Sequence, residues 1–106
     1  MSTLSAREKA FEDKFKHEEE LRFKIEARLV KMAGLWVAEQ VDMPAAKAES
    51  FALDLVRLNL DEPGRERLVA RLGETLEQGG VVLSDHQLQR SLSEFEAEAQ
   101  RQVMTE

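Results

Sequence analysis

Cysteine and tyrosine are missing from this 106-residue chain, which holds only two prolines, five glycines and one tryptophan. Without cysteine, no disulfide framework and no thiolate metal site is possible, and the absence fits a reducing cytoplasm. Aromatic residues make up 6% of the chain, and Leu, Ala and Glu are abundant. That balance favours helices over a sheet. No apolar run approaches the roughly 20 residues that a bilayer span needs. The opening Met1-Ser2-Thr3-Leu4-Ser5 lacks the basic-then-apolar order of a signal peptide, so a cytoplasmic location is expected. A positive excess is also lacking. The formal charge of −6 argues against a nucleic-acid partner, whose phosphates would repel it, and allows a partner with a basic surface. The length sets one domain with little stability to spare.

The few breakers divide the chain into four helical segments. Pro44 follows Val41-Asp42-Met43, Pro63-Gly64 follows Asp61-Glu62, and Gly79-Gly80 closes a third pattern. Helices are expected at about 21–40, 45–60, 63–78 and 85–103. In the first, Leu21, Ile25, Leu29, Met32 and Trp36 make one apolar face, and Phe23, Val30 and Val37 make a second stripe. The second carries Phe51, Leu55 and Leu58, with Ala52 and Val56 beside them. The third carries Leu68, Leu72 and Leu76 beside Val69, and Gly79 reads as its left-handed terminator. The fourth opens at Ser84-Asp85-His86-Gln87, the form of a capping box, and carries Leu88, Leu92, Phe95 and Ala99. Short connections between such helices imply a compact antiparallel four-helix bundle.

Residues 1–20 are of another kind. Charged side chains dominate them, and Phe11 and Phe15 are their only large apolar residues besides Leu4 and Met1. On an ideal helix the two phenylalanines share a side with Leu29 and Ala33, but Glu18 and Arg22 interrupt that stripe. Two phenylalanines bury too little area to offset the ordering entropy of about 20 residues. This arm is therefore expected to extend the first helix while being mobile when free, and to become helical on a partner. Phe11 and Phe15 at i, i+4 suit a helix-in-groove contact, with folding back onto the bundle as the alternative.

No catalytic constellation stands out. His17 and His86 lie in separate segments and read as surface side chains. The Glu18-Glu19-Glu20 run points in different directions around a helix, which makes a poor metal cage. Gly79-Gly80 lacks the Lys-Ser/Thr and the preceding strand of a phosphate loop. No metal, no cofactor and no enzymatic activity are expected. Two further readings stay open. Arg28, Arg65, Arg67 and Arg71 could serve a phosphate, making the bundle a nucleotide sensor. The stripe of Phe23, Val30 and Val37 could pair two copies in weak self-association.

The run Arg7-Glu8-Lys9-Ala10-Phe11-Glu12-Asp13-Lys14-Phe15, continuing through His17-Glu18-Glu19-Glu20-Leu21-Arg22-Phe23-Lys24 to Gly34-Leu35-Trp36, resembles the zeta subunit family of alphaproteobacterial F-type ATP synthases. Val82-Leu83-Ser84-Asp85-His86-Gln87-Leu88 is similar to the start of that family's last helix. The resemblance implies a four-helix bundle with an inhibitory N-terminal arm that enters a catalytic interface between the alpha and beta subunits, near gamma, and blocks ATP hydrolysis. Carried onto this chain, the arm is residues 1–20, its anchors are Phe11 and Phe15, and its charged contacts are Arg7, Lys9, Lys14 and Lys16. His17, Arg22 and Phe23 continue the contact into the first helix. The implied location is cytoplasmic, peripheral to the inner membrane through the synthase, without direct membrane insertion. The chain departs from the family at Leu29-Val30, where basic or polar residues are usual, which implies more apolar surface for the core or for a dimer.

Overall fold

The computed structural model describes residues 3–106, and side chains from Ala6 onward. Met1, Ser2 and the side chain of Leu4 lie outside the described residues. Four helices follow in order: α1 Thr3–Gln40, α2 Ala45–Asp61, α3 Arg65–Gln78 and α4 Asp85–Met104. The architecture is the expected all-α four-helix bundle. No helix among the described residues is long and apolar enough to cross a membrane.

Helix α1 is the hub. It packs chiefly against α2 and α4, and α3 closes the bundle against α1 and α4. Helix α2 runs antiparallel to α1, since Gly34 meets Ala52 while Glu26 meets Asn59. The core joins Leu29, Val30, Ala33 and Val37 of α1 to Leu55, Leu68, Leu72, Leu76, Leu88 and Leu92. Burying each large aliphatic side chain contributes about 1.5–3 kcal/mol relative to exposure. Trp36 lies partly buried against this core, edge to face with Phe95 at a centroid distance of 5.8 Å. Leu29 and Val30 are fully buried. Their apolar surface serves the core.

The helix ends follow their chemistry. Ser84 and Gln87 cap α4 reciprocally: the Gln87 backbone N–H donates to Ser84 Oγ at 3.1 Å, and the Ser84 N–H donates to Gln87 Oε1 at 2.8 Å. At the end of α3 the left-handed residue is Gly80 (φ 80°), whereas Gly79 has φ −86°. The Val81 N–H returns to the Leu76 carbonyl at 2.8 Å, and the Gly80 N–H to Glu77 at 3.0 Å, which completes a Schellman motif with Gly80 beyond the cap. Gly79 is required for a different reason. A Cβ there would sit 2.3 Å from Val41 Cγ1.

Three further readings of the sequence need correction. Helix α1 begins at Thr3, not near residue 21, because residues 6–24 are rich in Ala, Glu, Lys, Leu and Arg, which form helix without tertiary help. Leu58 faces outward at 44% exposure and Asn59 takes the inward position beyond Ala52 and Leu55. Both the 52–55–59 and the 51–55–58 sets fit the 3.6-residue period, and packing against α1 selects the first. Finally, Val30 and Val37 are fully buried while Phe23 is exposed. The three do not form one surface for pairing copies.

Candidate functional site: the arm of the first helix and the groove at its root

Residues 6–20 of α1 are exposed at every position, whereas the same helix buries Leu29, Val30, Ala33, Val37 and Ala38 farther on. A 38-residue helix is about 57 Å long, which explains a molecule extending 65 × 27 × 25 Å. The first half of α1 therefore projects from the bundle. Phe11 is 73% exposed and Phe15 57% exposed. With Lys14 and Glu18 they line a shallow recess on the arm's side. Arg7, Lys9, Lys16 and His17 are exposed on the same projecting segment. The structure thus gathers the arm residues on one protruding element, and none of them is covered by the bundle.

Phe23, at 56% exposure, marks where the arm meets the bundle. Here the helices α1 and α2 leave a groove of about 860 Å³, lined by Phe23, Ala27, Val30, Val56, Leu60 and Pro63, with Glu19, Glu20, Arg22, Lys24, Glu26 and Asn59 among the polar residues. Close approach at Gly34 and Ala52 holds the other part of this helix pair together. Arg22 Nη1 pairs with Glu19 Oε1 at 3.3 Å on the rim.

Beneath the groove a polar network joins all four helices. Asn59 Nδ2 of α2 donates to Glu26 Oε1 of α1 at 3.2 Å. Glu26 Oε2 lies 3.8 Å from Arg65 Nη2 at the start of α3, and Arg65 Nη2 donates to Glu96 Oε2 of α4 at 3.1 Å. Exposed ion pairs of this kind contribute little to stability. Their effect is to register the four helices where the arm departs. Asn59 itself is buried, and its Oδ1 has no partner among the described residues.

Sequence reasoning named Arg22 and Phe23 but missed Val56, Asn59, Leu60 and Pro63, which reach the site from α2 and the turn after it. Asn59 gave no local signal, since Leu58 beside it fits the same helical period. The four arginines considered for a phosphate are each engaged with carboxylates: Arg28 with Glu106, Arg65 with Glu96 and Glu26, and Arg67 and Arg71 with Glu62 at 3.5 and 2.9 Å. They do not converge on one cleft. His17 and His86 are both exposed and remain in separate helices.

No curated protein and no solved structure matches the chain. A family model described as ATPase inhibitor subunit zeta matches residues 1–102, which spans the projecting arm and nearly all of the bundle, and on that match the chain belongs to the ATPase inhibitor subunit zeta family.

Proposed function

We propose that this protein inhibits ATP hydrolysis by the F-type ATP synthase by inserting residues 1–20, as a helix continuous with the bundle, into a catalytic alpha–beta interface beside gamma. The observation that carries this reading is the uncovered arm: Phe11 and Phe15 present apolar surface on a helical segment that is exposed at every position from 6 to 20. Apolar anchors at i, i+4 are what a helix needs to seat in a groove. Phe11 and Phe15 act as those anchors, and Arg7, Lys9, Lys14 and Lys16 contact the rim. His17, Arg22 and Phe23 reach the partner at the mouth of the interface. The bundle is too wide to follow the arm inside, so it remains at the surface as a stop. The protein acts by occupying space and performs no chemistry of its own. It meets the membrane only through the synthase.

Deleting residues 1–19 tests the reading. The truncated protein should keep its thermal transition and lose inhibition of ATP hydrolysis by the cognate catalytic head. A truncated protein of unchanged potency overturns it.

A further inference from the structure

The groove at the root of the arm is open, and its apolar edges stay half exposed, Phe23 at 56% on α1 and Leu60 at 51% on α2. Helix α2 packs chiefly against α1, which leaves this edge of it without a covering helix. Leu53, 42% exposed, precedes Leu60 by two turns and lies about 20° from it around α2, so the uncovered apolar line runs on for about 10 Å along the bundle. We propose that this groove is a second docking surface for the catalytic head, seating an apolar side chain that projects from the head beside the point where the arm enters. This surface rests on the reading of the arm as the inhibitory element and extends its contact onto α2.

Continuity with the arm selects this occupant. Glu19 and Glu20 of the arm line the groove together with Arg22 and Phe23. Phe15 and Phe23 lie about 80° apart around α1, within the width of one amphipathic face, and Val30 of the groove falls between them. The docking side of the arm and the mouth of the groove therefore adjoin. A partner that closes over Phe15 meets Phe23 next. Because the bundle is too wide to enter the head, the groove is held against the head's outer surface. Whatever covers Phe23 there also faces Leu60 and Pro63, which bound the same space from α2 and the turn after it.

Shape and charge define the chemistry of the contact. A small molecule fits the volume of about 860 Å³ but not the form. Pockets for small ligands bury roughly 70–90% of what they hold, whereas half-exposed edges leave such a ligand wet. A broad protein surface covers both edges at once. Folding the arm back over the groove would require breaking α1, and no glycine or proline precedes Gly34. The rim carries both signs of charge, with Glu19 paired to Arg22, and Glu20 and Lys24 nearby. Net charge therefore selects nothing there. Affinity comes from the apolar floor, and the matching element on the head is an aliphatic or aromatic side chain.

The absence of native cysteine permits a footprint on the full chain. Leu58 and Leu60 are a matched pair on α2, 44% and 51% exposed but about 160° apart around the helix, and of the two only Leu60 lines the groove. Single-cysteine variants Leu58→Cys and Leu60→Cys are alkylated with a maleimide, free and saturated with the cognate head, and labelling of the inhibitor is read by mass. The head should slow labelling of Leu60→Cys about tenfold, as in the water-excluding core of an interface, and leave Leu58→Cys within about twofold. Leu60→Glu should weaken binding to the head about tenfold, equivalent to about 1.4 kcal/mol, while Leu58→Glu binds as the unmodified protein does. Equal labelling of the two cysteines in the complex, or full-strength binding by Leu60→Glu, overturns the second docking surface. So does protection of Leu60→Cys without the head, whether on raising the protein concentration, which gives the groove to a second copy, or on adding ATP or ADP, which gives it to a small ligand. The two readings fail separately. If residue 60 stays reactive in the complex while deletion of residues 1–19 abolishes inhibition, the groove is overturned and the arm stands. If residue 60 is protected while that deletion costs no potency, the arm is overturned and the groove stands.

Discussion

The two halves of α1 share one unbroken backbone and almost nothing else. Residues 6–20 are exposed at every position, while residues from Leu29 to Ala38 are buried at six positions. The bundle half is helical because tertiary burial stabilises it. The arm half is helical because Ala, Glu, Lys and Arg form helix on local terms, and because it propagates from a helix already nucleated below it. The same secondary structure thus has two physical origins within one element. The boundary falls near Leu21–Phe23, where exposure first declines.

The comparison breaks if core and arm substitutions cost the same. Leu29→Ala should destabilise the fold by about 2–5 kcal/mol, while Phe11→Ala or Phe15→Ala should stay within about 0.5 kcal/mol, as for other exposed sites. In the inhibition assay the order should reverse, with the phenylalanine changes weakening potency far more than Lys→Ala changes on the arm. Denaturant melts and dose–response curves check the two orders. A loss of several kcal/mol from Phe11→Ala would mean that the arm is part of the core.

Gly34→Ala sharpens the account of the bundle half. Its new Cβ would lie 3.0 Å from Ala52 Cα, a backbone atom that cannot rotate away. The expected cost is about 1–3 kcal/mol, measured by thermal unfolding, and a neutral result would show that the α1–α2 contact is looser than its geometry. Ala10→Gly addresses the other half. It should lower arm helicity, at about 1 kcal/mol of local helix free energy, as seen by circular dichroism or amide exchange. The melting of the bundle should not change.

Much of this division was legible beforehand. Pro44, Pro63-Gly64, Gly79-Gly80 and the Ser84–Gln87 capping box mark the four helices by chemistry that acts within a few residues. What escaped was decided over longer range or by small angles. Leu58 and Asn59 differ by one residue, about 100° around a helix, and only packing against α1 selects Asn59 for the interior. At the end of α3 the left-handed residue is Gly80, one position later than expected, and the need for glycine at Gly79 comes instead from Val41, in the turn after α1. The groove joins Phe23 to Leu60 and Pro63, residues about 40 apart in the chain, so no local pattern could announce it. The arm was recognised because its lack of apolar residues is itself local.

The smallest expected effect lies far from the arm. Arg101 holds the Glu98 carboxylate through Nε at 2.8 Å and Nη2 at 2.5 Å, and Gln102 adds a further hydrogen bond. Together they push the Glu98 pKa down to about 2, and Arg101 is raised in return. A carboxylate whose folded pKa is lowered contributes stability above its ordinary range and loses that contribution as pH falls toward the folded value. The contribution should fade between about pH 5 and the lowered pKa of about 2. Because the pair faces solvent, the effect is small and screened by salt. Glu98→Gln should flatten the acid limb of the stability profile slightly, and an unchanged limb would show that the ion pair does not persist in solution.

The network of Glu26, Asn59, Arg65 and Glu96 has a mechanical meaning. Any load on the arm enters the bundle along the axis of α1, just above these four side chains. A pull on a lone helix would peel it from its neighbours one contact at a time. Here the point of entry is linked to α2, α3 and α4 at once. The footing of the arm is therefore aligned by all four helices rather than by one neighbour, so the direction in which the arm projects is set by the bundle as a whole.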